Sequence, residues 1–230
     1  MQAEELISSA KRVIDAEIHG LEVLKQQFDD SFVQAVDMIT RIKGRLIISG
    51  MGKSGHIGQK MAATLASTGT PAFFVHPGEA SHGDLGMLTS DDLLLTISNS
   101  GESREMGDII SFSRRFGIPM IAITSNADST MAKAADLTLL IPNKKTAPEA
   151  CPLGLAPTTS TTTTLALGDA LAVALIEQKG FSVEEFRDRH PGGKLGNVLL
   201  RAKDVMVTGD DPVQAVHNLK KYIVHTHAKD

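Results

Sequence analysis

Tryptophan is missing from this sequence, tyrosine occurs once, and a single cysteine, Cys151, stands among 230 residues. The lone cysteine excludes an internal disulfide and agrees with a reducing compartment. With aromatics at 4% the core must be built from aliphatic side chains. There is no excess of basic charge. The net charge of −4 offers no electrostatic footprint for nucleic acid. Long apolar runs are also missing. The most apolar segment, Leu165 to Ile176, contains Asp169 and falls short of the roughly 20 residues a membrane span needs. Glu4, Glu5 and Lys11 interrupt any secretory leader near Met1. These absences lead to the expectation of a soluble, cytoplasmic protein with no nucleic-acid or membrane partner.

What is present centres on Asp92 to Ser103. Leu93 to Ile97 is a short continuous apolar run, the mark of a central parallel strand covered on both faces. Ser98-Asn99-Ser100-Gly101-Glu102-Ser103 follows, rich in hydroxyls and neutral donors, and a helical pattern then runs from Glu102 to Phe116. Unpaired N–H groups at a helix N-terminus attract anions, and serines add donors without charge. No magnesium-binding motif accompanies the turn, so a simple phosphate ester suits it better than a nucleoside triphosphate. An ordinary capped turn would use the same residue types.

Along the chain, residues 3 to 28 carry an apolar stripe at helical spacing, and Ser31 is placed to cap a second helix through Ile42. Arg45 to Ser49 reads as the first strand, and Gly50-Met51-Gly52-Lys53-Ser54-Gly55 turns it into a helix ending near Gly69. This is literally G-x-G-x-x-G after a strand. A dinucleotide site would also need an acidic residue closing the second strand, but Ala72 to Val75 runs into His76-Pro77-Gly78. A Walker loop fails because its first glycine would fall at Ile47. Close approach of the backbone to an anion fits better, with Lys53 and Ser54 toward the ligand. Strands are further expected over Pro119–Thr124 and Leu137–Ile141, with a short helix between them from about Ser129 to Ala135.

Strands alternating with helices predict an α/β, doubly wound three-layer fold, a five-stranded parallel sheet flanked by helices. Ligands then bind beyond the carboxyl ends of the strands, where both serine-bearing turns lie. The tract Pro157 to Thr164 leads into an apolar helix and can turn hydroxyls toward the same pocket. Phe181 to Arg189 reads as a short helix, followed by the rigid turn His190-Pro191-Gly192-Gly193.

With these motifs in place the chain resembles the sugar isomerase (SIS) domain family, and within it the bacterial arabinose 5-phosphate isomerases. The resemblance rests on Gly50–His56, His76–Asp84, Ser98–Ser103, Glu149–Thr161, Gly168–Ala172 and His190–Gly193, in family order over roughly residues 1 to 205. It implies an SIS domain over 1–205. Family members commonly continue into a pair of CBS domains. Residues 206–230 are too few for one and are expected to be a linker remnant and tail, in which His225 and His227 are a poor metal site.

The resemblance further implies an aldose–ketose isomerase interconverting D-arabinose 5-phosphate and D-ribulose 5-phosphate through an enediol, feeding 3-deoxy-D-manno-octulosonate and lipopolysaccharide synthesis. It assigns the phosphate to Ser54, Ser98, Asn99, Ser100 and Ser103, and the sugar to Lys53, His82, Glu105, Glu149 and His190. Such chemistry needs a phosphate anchor, a base and acid near the two carbons, and polarisation of the carbonyl oxygen, with no cofactor and no metal. Glu105 is the candidate base, His190 the group that opens the ring or moves the proton between oxygens, and Lys53 the stabiliser of the oxyanion. Another sugar phosphate isomerase, or a non-catalytic sugar-phosphate sensor, is the alternative. Nothing before Arg45 supplies the basic recognition helix of a regulator. The unmatched apolar stripes and the family resemblance point to a homotetramer. His82, in the loop after the second strand, is expected to come from a neighbouring subunit.

Overall fold

The computed structural model describes residues 2–190. The chain divides into two compact units, the first ending at Gly180 and the second beginning at Phe181. In the first unit, five short, mostly apolar runs form the strands β1 (Leu46–Gly50), β2 (Ala72–Phe74), β3 (Leu93–Ile97), β4 (Met120–Thr124) and β5 (Leu137–Leu140). They make one parallel sheet in the order β2-β1-β3-β4-β5. β1, β3 and β4 are buried along their whole length, which is why they read as continuous apolar runs without alternation. Leu46 pairs with Leu93 and Gly50 with Ile97, so the turns after β1 and β3 leave the sheet side by side.

The pleat divides each strand between two cores. Leu46, Ile48, Leu93, Leu95, Ile121 and Ile123 pack with the helices α1 (Ala3–Gln26), α2 (Asp30–Arg41), α3 (Lys53–Ser67) and α7 (Thr159–Lys179). Ile47, Leu94 and Met120 face the other way, against α4 (Pro77–Ala80), α5 (Gly107–Phe116) and the C-terminal end of α6 (Thr130–Ala134). This is the doubly wound, three-layer α/β arrangement, with aliphatic cores on both sides of the sheet. In the second unit the described residues form α8 (Val183–Asp188), opened by a capping box between Ser182 and Glu185.

Several local details differ from the sequence expectations. Asp29, not Ser31, caps α2, accepting the Ser31 N–H at 2.8 Å. His76-Pro77-Gly78 does not simply end a strand. It opens α4, with proline at the first helical turn and His76 Nδ1 accepting the Gly78 N–H. Helix α5 does not begin at Glu102. The chain first makes a 3-10 turn over Arg104–Met106 and becomes α-helical at Gly107. The threonine tract is itself helical, so α7 has 21 residues and among the described residues is long and apolar enough to cross a membrane. Length therefore does not argue against a span. The half of the helix buried inside this fold does, since Leu167, Leu171 and Leu175 lie in the core. The turn Pro191–Gly193 and the 206–230 segment lie outside the described residues.

Candidate active site at the carboxyl edge of the sheet

In the order β2-β1-β3-β4-β5, the chain reverses direction of winding between β1 and β3, where open α/β sheets leave a crevice. Both serine-bearing turns flank that crevice. After β1, Gly52 takes φ +57 and α3 starts at Lys53, so Lys53 and Ser54 occupy its first turn, where the N–H groups have no helical partner. Gly55 lies so close to the end of β1 that a Cβ would stand 2.6 Å from the Gly50 carbonyl oxygen. The glycines of this G-x-G-x-x-G thus serve a tight strand-to-helix return.

After β3, the turn is held by its own hydroxyls. Ser98 Oγ lies 2.9 Å from Ser103 Oγ and accepts the Gly101 N–H at 3.1 Å, while Ser100 Oγ accepts the Glu102 N–H at 3.2 Å. The Asn99 carbonyl receives Ser125 N–H at 3.0 Å, Ser125 O–H at 2.8 Å and Thr124 O–H at 3.1 Å from the end of β4. The result is a cavity of about 630 Å³ lined by Met51, Ser54, Ile97, Ser98, Asn99, Ser100, Ser103, Ser125, Asn126 and Asn143–Lys145. A recess of about 120 Å³ continues from it past Lys53 to Ser160, Thr161 and Thr164 at the start of α7. Met51, Ser54 and Asn99 line both. Hydroxyls and amides crowd one end and lysines flank the space, a lining suited to an anionic, hydroxyl-bearing ligand.

Of the residues singled out in the sequence, Ser54, Ser98, Asn99, Ser100 and Ser103 come together on the cavity wall, and Lys53 joins them through the recess. Glu105 sits in the middle of the 3-10 turn, exposed, and does not line the cavity of the single chain. His82 is exposed after α4, also away from the lining. Glu149 lies half-buried against the start of α7 and accepts Thr158 N–H at 2.7 Å, Thr158 O–H at 3.1 Å and Ser160 N–H at 3.2 Å. Burial opposes its charge, but the surrounding donors of Ser160 and Thr158 outweigh that and hold its pKa below the ordinary value. The Ser160 hydroxyl, itself buried, favours the carboxylate by proximity without hydrogen-bond geometry. His190 belongs to the second unit. There its ring stacks on Phe186 at 3.9 Å, and Nδ1 lies 2.7 Å from the Phe186 carbonyl. A carbonyl only accepts, so Nδ1 carries the hydrogen and Nε2 is left free for other chemistry.

Sequence reasoning missed Ser125, Asn126 and the Asn143–Lys145 loop as cavity residues. Their positions just beyond β4 and β5 were the available signal, since every strand of a parallel sheet delivers its following loop to the same edge. Among the described residues no three His, Cys, Asp or Glu side chains gather in a metal-binding group.

A parallel sheet with serine turns at its switch point defines a class of α/β proteins that hold small anionic ligands at the strand ends. The chain belongs to one family within it: the SIS domain profile matches residues 38–174. The arabinose 5-phosphate isomerase KdsD of Yersinia pestis is 56% identical over 204 residues, covering 88% of this chain and 61% of its own length. KdsD of Escherichia coli K12 is 54% identical over the same extent. The chain therefore spans about three fifths of these curated relatives. The structure of E. coli CFT073 c3406 in complex with arabinose 5-phosphate aligns at TM-score 0.79 and 40% identity, over 83% of this chain and 100% of that one.

Proposed function

We propose that this chain carries the catalytic domain of a cytoplasmic aldose–ketose isomerase that interconverts D-arabinose 5-phosphate and D-ribulose 5-phosphate, supplying the 3-deoxy-D-manno-octulosonate branch of lipopolysaccharide synthesis. The observation that carries the proposal is the serine-lined cavity at the β1–β3 crevice, in a chain 40% identical to a protein solved with arabinose 5-phosphate bound. In this reading Ser54, Ser98, Asn99, Ser100 and Ser103 bind the phosphate, and the sugar extends toward Lys53 and the start of α7.

The reaction moves one proton. A base removes the proton from C2 of the open-chain aldose, the carbonyl oxygen at C1 takes up charge, and an enediol forms. Reprotonation at C1 with loss of the proton on O2 gives the ketose. Lys53 stabilises the oxyanion, and His190 opens the ring or carries the proton between O1 and O2. Glu105 is the base. Support for that choice comes from hydrogen bonding: Glu102 and Glu149 are engaged by N–H donors that stabilise their charged forms and weaken them as bases. Glu105 has no hydrogen bond or ion pair among the described residues. Glu149 holds the start of α7 where the recess needs it, on the polar periphery of the sugar.

The active form is a homotetramer, and His82 reaches the pocket from a neighbouring copy. Support comes from the exposed apolar side chains of α1 and from the absence of His82 from the single-chain cavity. The direct test is incubation with D-arabinose 5-phosphate in deuterated water without added nucleotide. Ketose must appear with solvent hydrogen incorporated at the exchanging carbon. Phosphate-dependent binding with neither ketose nor exchange would assign the domain to sensing instead.

A further inference from the structure

Glu102 lies in the phosphate-binding turn yet points away from it. Its carboxylate reaches the start of α6, where Oε1 accepts the Thr130 N–H at 2.9 Å and Oε2 the Thr130 O–H at 2.8 Å. The same junction carries a second tie, the Met131 N–H donating to the Gly101 carbonyl at 3.1 Å. Gly101 itself has φ +69, and a Cβ there would fall on the Ser129 hydroxyl, so backbone meets backbone with no side chain between them. On the inner side, the Asn99 carbonyl is fixed by the Ser125 and Thr124 donors. The turn is therefore anchored at residue 99 to the end of β4, and at residues 101 and 102 to α6.

We propose that Glu102 is a positioning residue for the reaction: by bridging to Thr130 it holds the outer limb of the Ser98–Ser103 turn so that the hydroxyls of Ser100 and Ser103 converge on one phosphate. This rests on the phosphate-ester reading of the cavity given above. A free carboxylate beside an anion site would repel the ligand. Engaged by two donors, the Glu102 charge is instead committed to the scaffold, and its pKa is lowered chiefly by the Thr130 N–H and O–H, with a smaller contribution from the Lys133 charge. A bound phosphate needs several donors at once, and each must be held before the ligand arrives for its full contribution to be realised. Without the Glu102 bridge the limb beyond Gly101 would be held in the turn chiefly by the Ser98–Ser103 hydroxyl contact at 2.9 Å, which a phosphate bound to those same hydroxyls competes for.

The experiment compares Glu102→Ala, Glu102→Gln and Thr130→Val in the full chain. Binding of inorganic phosphate is read by calorimetry, and turnover of D-arabinose 5-phosphate by steady-state kinetics. Glu102→Ala is expected to raise both the Kd of inorganic phosphate and the KM by about tenfold, the loss of one charge-assisted contact, with kcat within about twofold. Glu102→Gln should recover most of that loss, because its amide can accept the Thr130 N–H and donate to the Thr130 oxygen. Thr130→Val keeps the backbone contact and should raise Kd by about threefold, which retains a reading should the alanine variant fail to fold. Phosphate affinity unchanged in Glu102→Ala, tighter binding once the charge is removed, or a loss in kcat with KM spared would each overturn the proposal. A wild-type protein that binds phosphate but turns over no sugar would overturn the isomerase reading, while the Kd comparison would still decide the role of Glu102.

Discussion

Glu102, Glu105 and Glu149 bear the same group and are separated by what donates to them. Thr130 claims Glu102, and Thr158 and Ser160 claim Glu149, whereas Glu105 is exposed and unengaged among the described residues. Glu105→Gln and His190→Ala are each expected to lower kcat by at least about 10²-fold, the usual size of an acid–base contribution, with KM little changed. Ser100→Ala should instead act on KM, because a phosphate contact is held in ground and transition states alike. If Glu105→Gln kept near-full kcat, the base would have to be sought at Glu149 or His82. Glu149 also makes a pH prediction. Its folded-state pKa lies below its ordinary value, so its bonds stabilise the fold above the unfolded-state pKa, and that contribution is lost as pH falls through the lowered folded-state value. Urea midpoints measured from neutral pH downward should therefore converge for wild type and Glu149→Gln at acid pH. Curves that stay parallel would show that the donors around Glu149 stabilise nothing.

At the scale of elements, the crossing of α1 over α7 and the junction below the sheet set the stability. Gly20 of α1 meets Thr159 and Thr163 of α7 so closely that a Cβ would overlap the Thr159 methyl group. Thr159 is fully buried and β-branched, so it cannot swing aside. Gly20→Ala should cost about 1–3 kcal/mol, read as a lower urea midpoint at unchanged m. At the opposite edge, the buried Asp92 carboxylate accepts Arg45 N–H at 2.7 Å, Thr89 N–H at 2.8 Å and Thr89 O–H at 3.0 Å, joining the entries to β1 and β3. Asp92→Ala would strand those donors and should cost about 2–3 kcal/mol by the same measurement. The central strands β1, β3 and β4 were legible in the sequence because burial on both faces leaves uninterrupted apolar runs between turn residues. The serine turns were legible because the hydroxyls sit next to those runs. Helix starts were less so. Asp29, Asp30 and Ser31 are all good caps, and only tertiary placement selects Asp29. The 3-10 turn at Arg104–Met106 departs from a pattern that is apolar at helical spacing from Met106 onward. Asn143–Lys145 carry no local pattern of their own, and only their position just beyond β5 in a parallel sheet pointed to the cavity edge.

For the whole molecule, the decisive observation is apolar surface that one copy leaves uncovered. Gly20 and Leu24 bury the far half of α1, but Leu6, Ile7, Ile14 and Ile18 are about half exposed along its length, and Leu153 and Leu155 stand 76% and 81% exposed in the loop before α7. Burial of such side chains is worth roughly 1.5–3 kcal/mol apiece, enough in combination to drive assembly of identical chains with closed symmetry. Sedimentation should show a tetramer, and Leu6→Glu with Ile14→Glu should shift it to smaller species that remain folded. Lys53 lines the recess and His82 does not line the single-chain cavity, and in the proposed assembly His82 would come from a neighbouring copy. Lys53→Ala and His82→Ala should each be weak alone. Unfolded together and refolded as mixed oligomers, they should regain part of the activity, because some pockets then receive an intact Lys53 from one copy and an intact His82 from another. Verified hybrids without recovery would place both side chains in one subunit's pocket, and a monomer in sedimentation would remove the shared site altogether.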